Sequence, residues 1–237
     1  MIGKDVDGGF SEYSTVPVTS AIRLPQAIPF EQGAILGCAV STAYHALRRG
    51  RVQPGEKVVI IGVGGLGMHA VQLAKRIFRA GQVIAVDRFD WKLKHAKNSG
   101  ASGTVNAATN EAARAVESMT HGTLADVVLD FVGSERTNQQ GLSCVGKGGR
   151  LVLVGIGAKW MTVAPYRTII GKEIDIIGVN DHLKTELSEL VSFVKSGRID
   201  LSHSVTHRIP LEDINDGFRI LEDKNENPIR VVVSKGN

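Results

Sequence analysis

The tightest constraint in this chain is the hexapeptide "GVGGLG" at 62–67, which follows the apolar run "KVVII" at 57–61 and opens a stretch with helical periodicity. A strand that turns through three glycines straight into a helix has the form of a phosphate-binding βαβ turn. Gly62 permits the tight turn, Gly64 lets a pyrophosphate approach the backbone, and Gly67 allows close helix packing on the sheet. Unpaired amides at the helix N-terminus then face the phosphate charge. Leu66, Ala70, Leu73 and Ile77 share one face of that helix, and Lys75, Arg76 and Arg79 bring positive charge toward its end. Gly81 is expected to close it. His69, inside it, reads as a helix-surface or interface residue.

The next requirement of such a unit is an acidic residue at the end of its second strand. Asp87 ends "VIAVD", 25 residues after Gly62. A carboxylate there accepts hydrogen bonds from the adenosine ribose hydroxyls and repels a 2′-phosphate, so it favours NAD over NADP. Arg88 pulls the other way, because a neighbouring arginine accommodates that phosphate.

Further short apolar runs recur at 83–86, 127–131, 150–154 and 174–178, with a weaker one, "GTVN", at 103–106. Each is too short and too continuously apolar for a half-exposed strand, so all are expected to be buried on both faces. Helices are expected between them: one capped by Asp90, one by Asn110, and one opened by Ser134 or Glu135 before the glycine-rich return "GKGGR". This alternation predicts an α/β fold, a doubly wound Rossmann sheet of six parallel strands. The ends differ. Residues 1–30 hold strand-like pieces broken by Gly and Pro. Thr185 is expected to cap a helix presenting Leu187, Leu190, Val191 and Val194, a second helix starts near Glu212, and the chain closes on "IRVVV".

At 237 residues the chain can bury a large core without disulfides. Its net charge of +4 is spread along the sequence, apart from "RRGR" at 48–51, which argues against a nucleic-acid partner. No apolar run approaches the length of a membrane span. Two distant cysteines match no disulfide framework, so a reducing, cytoplasmic setting is expected. No serine-hydrolase elbow, Walker A loop or His-Glu-x-x-His helix is present, and the histidines show no metal-ligand spacing with either cysteine. Cys38, in "GAILGCAVSTAYHAL" at 33–47, reads on its own as buried filler. One thiol cannot supply the three protein ligands of a catalytic zinc.

In their order and spacing, "DGGFSEYSTVP", "GCAVSTAYHAL", "VQPGEKVVIIGVGGLGMHAVQLAK", "DVVLDFVGS", "GGRLVLVGIG" and "NPIRVVVSKGN" resemble the zinc-dependent medium-chain alcohol dehydrogenases. The resemblance implies that Cys38 is the third protein ligand of a catalytic zinc and that Thr42 lies beside the nicotinamide ring. It implies that Gly62, Gly64, Gly65, Leu66 and Gly67 form the coenzyme loop, with Leu66 pressing on the ring. Asp87 and Lys92 would hold the adenosine ribose, and Arg88 and Val132 are further cofactor-binding residues. Val154 to Ile156 would line the nicotinamide end, and Arg230 would reach the pyrophosphate.

The resemblance covers about the last two thirds of a family member. The expected organisation is therefore a remnant of the catalytic domain at 1–35, an NAD-binding Rossmann domain at 36–182, and a segment at 183–237 that would return to the catalytic domain. A cut chain, a shifted start codon and a shortened gene all fit. The implied activity is zinc-assisted hydride transfer between NAD and an alcohol, with an aldehyde or ketone as the oxidised partner. Zinc belongs to the full-length parent and is not expected to be held by this chain alone. Two rival readings stand: an inactive NAD(H)-binding module, and a zinc-independent quinone oxidoreductase of the same superfamily. A homodimer or homotetramer formed through the sheet edge in 159–180 is also implied.

Overall fold

The structure, a computed structural model, describes residues 3, 5–157, 159–163, 165–223 and 226–234. The outermost residues of the expected 1–35 and 183–237 segments, including the last three of "NPIRVVVSKGN", lie outside the described residues. In chain order the elements are α1 (Phe30–Ile35), α2 (Ser41–Arg49), β1 (Lys57–Ile61), α3 (Gly67–Arg76), β2 (Gln82–Asp87), α4 (Asp90–Asn98), β3 (Gly103–Asn106), α5 (Ala112–Met119) and β4 (Ala125–Asp130). There follow α6 (Glu135–Cys144), β5 (Val145–Leu153), α7 (Tyr166–Lys172), β6 (Asp175–Gly178), α8 (Lys184–Lys195), β7 (His207–Pro210), α9 (Ile214–Glu222) and β8 (Val231–Ser234). They form two compact units, one of Cys38–Leu183 and one of Met1–Gly37 with Lys184–Asn237.

The Cys38–Leu183 unit holds a six-stranded parallel sheet in the order β3-β2-β1-β4-β5-β6. This is the doubly wound sheet that the alternation of apolar runs predicts. Its Val- and Ile-rich central strands are covered on both faces, so they carry no polar alternation. On one face Val59, Ile61, Ile84, Val86, Val128 and Leu151 pack with Ala112 and Val116 of α5 and Leu142 of α6. The opposite face carries α2 and α3. A Cβ on Gly50, at the end of α2, would stand 3.0 Å from Val152 and 3.3 Å from Val127. Because α3 packs against both the sheet and α2, His69 is buried rather than on the helix surface.

Two expectations for the strands change. The run at 174–178 is not buried on both faces: β6 is an edge strand, bonded among the described residues only to β5, and most of its residues are exposed. "GKGGR" is not a return before the strand but part of β5, which shifts register against β4 between Ala125 and Val127.

Helix ends differ in detail from the sequence reading. Asp90 begins α4 rather than capping it, and its carboxylate accepts the Asn106 side-chain amide at 2.6 Å. Asn110 stands before α5 and donates to the Asn106 carbonyl at 3.2 Å. Ser134 does cap α6: its Oγ accepts the Thr137 amide at 3.2 Å while the Thr137 hydroxyl accepts the Ser134 amide at 3.0 Å. α3 ends at Arg76, so Gly81 does not close it. The chain reverses at Arg79, which takes φ +57°, whereas a Cβ on Gly81 would stand 2.4 Å from the Gly55 carbonyl oxygen. Returns into β1, β4 and β6 likewise pass through left-handed residues, Arg51, Leu124 and Glu173.

In the other unit, β7 and β8 pair in parallel with α9 as their crossover, and α9 is preceded by a 3₁₀ turn at Leu211–Asp213. A Cβ on Gly217 of α9 would stand 2.3 Å from Ile209 Cδ1, so the helix lies very close on this ribbon. α8 starts at Lys184, placing Thr185 inside it rather than at its cap. Before Phe30 the described residues form a 3₁₀ turn at Val18–Ser20 and a lone bridge at Val6, but no strand. Pro17, Pro25 and Pro29 remove amide donors that a ladder there would need. Glu31 of α1 accepts from the Arg208 guanidinium of β7, at 2.8 Å through Nη2. That pairing holds the Glu31 carboxyl below the usual carboxylate range.

Candidate functional site

β1 and β4 are neighbours although β2 and β3 intervene in the chain, so the strand order reverses between them and leaves a crevice at their carboxyl ends. Gly62 turns out of β1 at φ +84°, and its amide donates to the Val86 carbonyl at 2.8 Å. A Cβ there would stand 2.5 Å from Val132 Cγ2, and one on Gly67 only 2.0 Å from the Gly62 carbonyl oxygen. These two glycines are required by contact within the protein. Gly64 is different, since only the Lys92 Nζ, at 3.9 Å, would meet a Cβ on it. Its open side faces a cleft of about 280 Å³ lined by the glycine loop from Gly62 to Gly67, with Asp87, Lys92, Phe131 and Val132.

The structure thus brings together Gly62, Gly64, Gly65, Leu66, Gly67, Asp87, Lys92 and Val132. At the end of β2, Asp87 Oδ2 accepts the Val63 amide at 3.0 Å, and Oδ1 accepts the amides of Arg88 at 2.8 Å and Phe89 at 3.1 Å. An ionised carboxylate offers about four acceptor positions, so one remains for a hydroxyl. Arg88 is outside the cleft lining, its guanidinium 4.8 Å from the Phe89 ring centroid. Lys92 Nζ lies 5.1 Å from the same ring and 5.4 Å from that of Trp91. The aromatic pair Phe89 and Trp91, which the sequence reading passed over, steers both cations.

On the opposite side of the crevice, Val132 is half exposed, Val154 is buried and Ile156 is almost fully exposed. Neither Val154 nor Ile156 lines the 280 Å³ cleft. A further residue emerges here, Asp130, completely buried at the end of β4. Its one legible signal was a carboxylate inside the otherwise apolar "VVLDF".

Cys38 and Thr42 do not line the cleft either. Cys38 is exposed, which overturns its reading as buried filler. It lies in a π-helical stretch, Leu36–Val40, where one extra residue per turn moves side chains off the α-helical face pattern. Ser41 Oγ donates to the Cys38 carbonyl at 3.3 Å, and Thr42 is buried in α2. Among the described residues no three His, Cys, Asp or Glu side chains gather as a metal cage. The donor set therefore does not fit a catalytic zinc, which needs three protein ligands. Arg230 belongs to the other unit, where its carbonyl accepts the Thr206 and His207 amides at 2.9 and 3.2 Å. Cys144 is buried in the core, and burial pushes its thiol up to about 12. No helix among the described residues is long and apolar enough to cross a membrane.

A family model described as zinc-binding dehydrogenase matches residues 65–196. The chain is 34% identical over 216 residues to an alcohol dehydrogenase of Geobacillus stearothermophilus, covering 91% of this chain and 62% of the relative. It is 31% identical over 222 residues to a sorbitol dehydrogenase of Bacillus subtilis, with 93% and 62% covered. The crystal structure of an alcohol dehydrogenase from Aeropyrum pernix superposes with a TM-score of 0.87 at 36% identity, covering 98% of this chain and 67% of that one. The chain spans about 62% of the length of these curated relatives.

Proposed function

This chain belongs to the zinc-binding dehydrogenases, and from that footing we propose that its Cys38–Leu183 unit binds NAD(H) as the coenzyme-binding part of an alcohol dehydrogenase. The observation that carries the reading is the meeting of an open Gly64 turn with the Asp87 carboxylate and the Lys92 ammonium in one cleft. The amides at the start of α3 and the glycine loop receive the pyrophosphate. Asp87 accepts from the adenosine ribose and Lys92 donates to it. Leu66, Val132, Thr42 and the stretch from Val154 to Ile156 surround the nicotinamide, and Arg230 neutralises pyrophosphate charge. Bound NAD supplies the hydride acceptor, while the protein orients it and excludes water. Arg88, drawn onto Phe89, leaves the discrimination between NAD and NADP to Asp87.

In this reading Cys38 is a zinc ligand of the whole protein, whose partner ligands come from a catalytic domain to which residues 1–35 and 183–237 belong. Residues 36–182 are the coenzyme domain. The substrate is a small alcohol, with its aldehyde or ketone, and the setting is the cytoplasm. The exposed β6 edge joins two copies into a homodimer, or pairs of dimers into a tetramer. A second reading, an NAD(H)-binding module without turnover, is favoured by the missing metal donors among the described residues.

Fluorescence titration of the purified chain tests the first step. NADH should bind saturably and at least about tenfold more tightly than NADPH, a difference of about 1.4 kcal/mol. No saturable NADH binding by the folded chain would refute the reading. Reduction of NAD by an alcohol panel, with and without added zinc, separates the two forms: turnover rejects the inactive module.

A further inference from the structure

We propose that Asp130 is the positioning residue of the coenzyme cleft, a buried carboxylate that sets the two backbone segments on which the nicotinamide half of the dinucleotide rests. The proposal rests on the reading of this cleft as an NAD(H) site.

Asp130 pairs in register with Ile61 of β1 on one side and Leu153 of β5 on the other, at the carboxyl edge of the sheet. It is completely buried. Its Oδ1 accepts the amides of Val132 at 2.8 Å and Gly133 at 3.1 Å, folding the chain back just after β4. Its main-chain carbonyl accepts the amides of Val154 and Gly155, both at 3.0 Å. One residue therefore fixes four amides on two chain segments. Among the described residues no donor reaches Oδ2. Burying a carboxylate with one oxygen unpaired is costly, so side-chain burial alone does not explain an acid here.

The turn that Asp130 holds fits its neighbours at backbone contact distance. A Cβ on Gly155 would stand 2.3 Å from the Val132 carbonyl carbon, and one on Gly133 would stand 2.1 Å from the Gly155 carbonyl oxygen. On the other side, Val132 Cγ2 fills the place of a Cβ on Gly62. A continuous chain of contacts thus runs from the first glycine of the loop through the 132–133 turn to Gly155. With no slack at either contact, a shift of the turn is passed to both neighbours. Asp87 and Lys92, on the adenosine side, take no part in these contacts.

The test compares wild type with Asp130→Ala and Asp130→Asn, using NADH and AMP as probes and calorimetric titration as the readout. AMP carries only the adenosine half. We expect Asp130→Ala to weaken NADH at least about tenfold, as lost charge-assisted hydrogen bonds do, and AMP less than about twofold. Asn keeps a carbonyl oxygen for both amides and should restore NADH binding to within about threefold of wild type. A merely structural role would weaken both probes alike or leave both unchanged, and either result overturns the proposal. If Asp130→Ala does not fold, Gly155→Ala carries the test. It leaves the carboxylate in place but drives a methyl group into the turn, so NADH should again weaken selectively, and unaltered NADH binding by folded Gly155→Ala overturns it. Absence of NADH binding by folded wild type instead refutes the coenzyme reading itself.

Discussion

The Asp87 carboxylate accepts the Val63 amide at 3.0 Å, across 24 residues of sequence, so the acid that ends β2 also anchors the glycine loop that leaves β1. Its proposed position as a ribose acceptor and the shape of the glycine loop are one arrangement. Asp87→Ala removes both, and NADH affinity should fall about 10- to 100-fold, as expected for lost hydrogen bonds to a charged group. NADPH affinity should fall less, because repulsion of its 2′-phosphate goes with the carboxylate. Parallel titrations with the two coenzymes check this; equal losses would remove Asp87 from coenzyme choice.

Gly64 and Gly67 should fail in different ways. A side chain on Gly64 enters open space, so Gly64→Val should fold with a wild-type urea midpoint yet lose NADH binding. On Gly67 even a methyl group meets the Gly62 carbonyl oxygen, so Gly67→Ala should cost about 1–3 kcal/mol of stability by overpacking. Urea unfolding and NADH titration of both variants separate the two effects.

The two thiols should differ in reactivity and in their effect on stability at high pH. Exposed Cys38 should react with a disulfide reagent in the folded chain, and Cys144 only after unfolding. Burial raises the Cys144 thiol to about 12. The folded state therefore favours its protonated form. That contribution is complete below the unfolded value of about 8.5 and is lost as pH rises from there through the folded value. Cys144→Ala should flatten the fall in urea midpoint above about pH 8.5, a comparison that also exposes any other group titrating there.

At acid pH the Glu31–Arg208 pair gives the opposite sign. The Arg208 hydrogen bonds lower the Glu31 carboxyl, so its stabilising effect is complete above the unfolded value of about 4.3 and is lost as pH falls through the folded one. The pair is solvent-exposed, and salt should weaken it. Glu31→Gln should speed amide exchange in β7 at neutral pH, and its difference from wild type should vanish in acid.

The central strands were readable because burial on both faces writes a continuous apolar run, and the glycine loop because sterics demand glycine at Gly62 and Gly67. β6 misled for the same reason: "IDIIG" has the composition of a buried strand, but only topology puts it at the sheet edge. Helix caps were half legible. Ser134 forms its reciprocal bonds with Thr137, whereas Asp90 turns to Asn106, 16 residues away, and Asn110 bonds back to Asn106, four residues before it, instead of capping α5. Of the candidate site, the loop, Asp87, Lys92 and Val132 come together. Cys38 could not be placed, since an apolar run gives no sign of a π-helical stretch, and His69 looked exposed because the packing of α2 against α3 is a tertiary contact. Phe89 matters through ring faces and Asp130 through backbone amides, and neither leaves a spacing pattern.

The left-handed residues in the returns have a practical meaning for engineering. Arg51, Arg79, Leu124 and Glu173 hold φ between +53° and +62°, a conformation that costs an ordinary L-residue about 1–2 kcal/mol and glycine almost nothing. All four lie in connections entering strands, at the sheet edge opposite the crevice. Glycine at these positions offers a route to a more heat-tolerant protein that leaves every residue lining the glycine-loop cleft as it is.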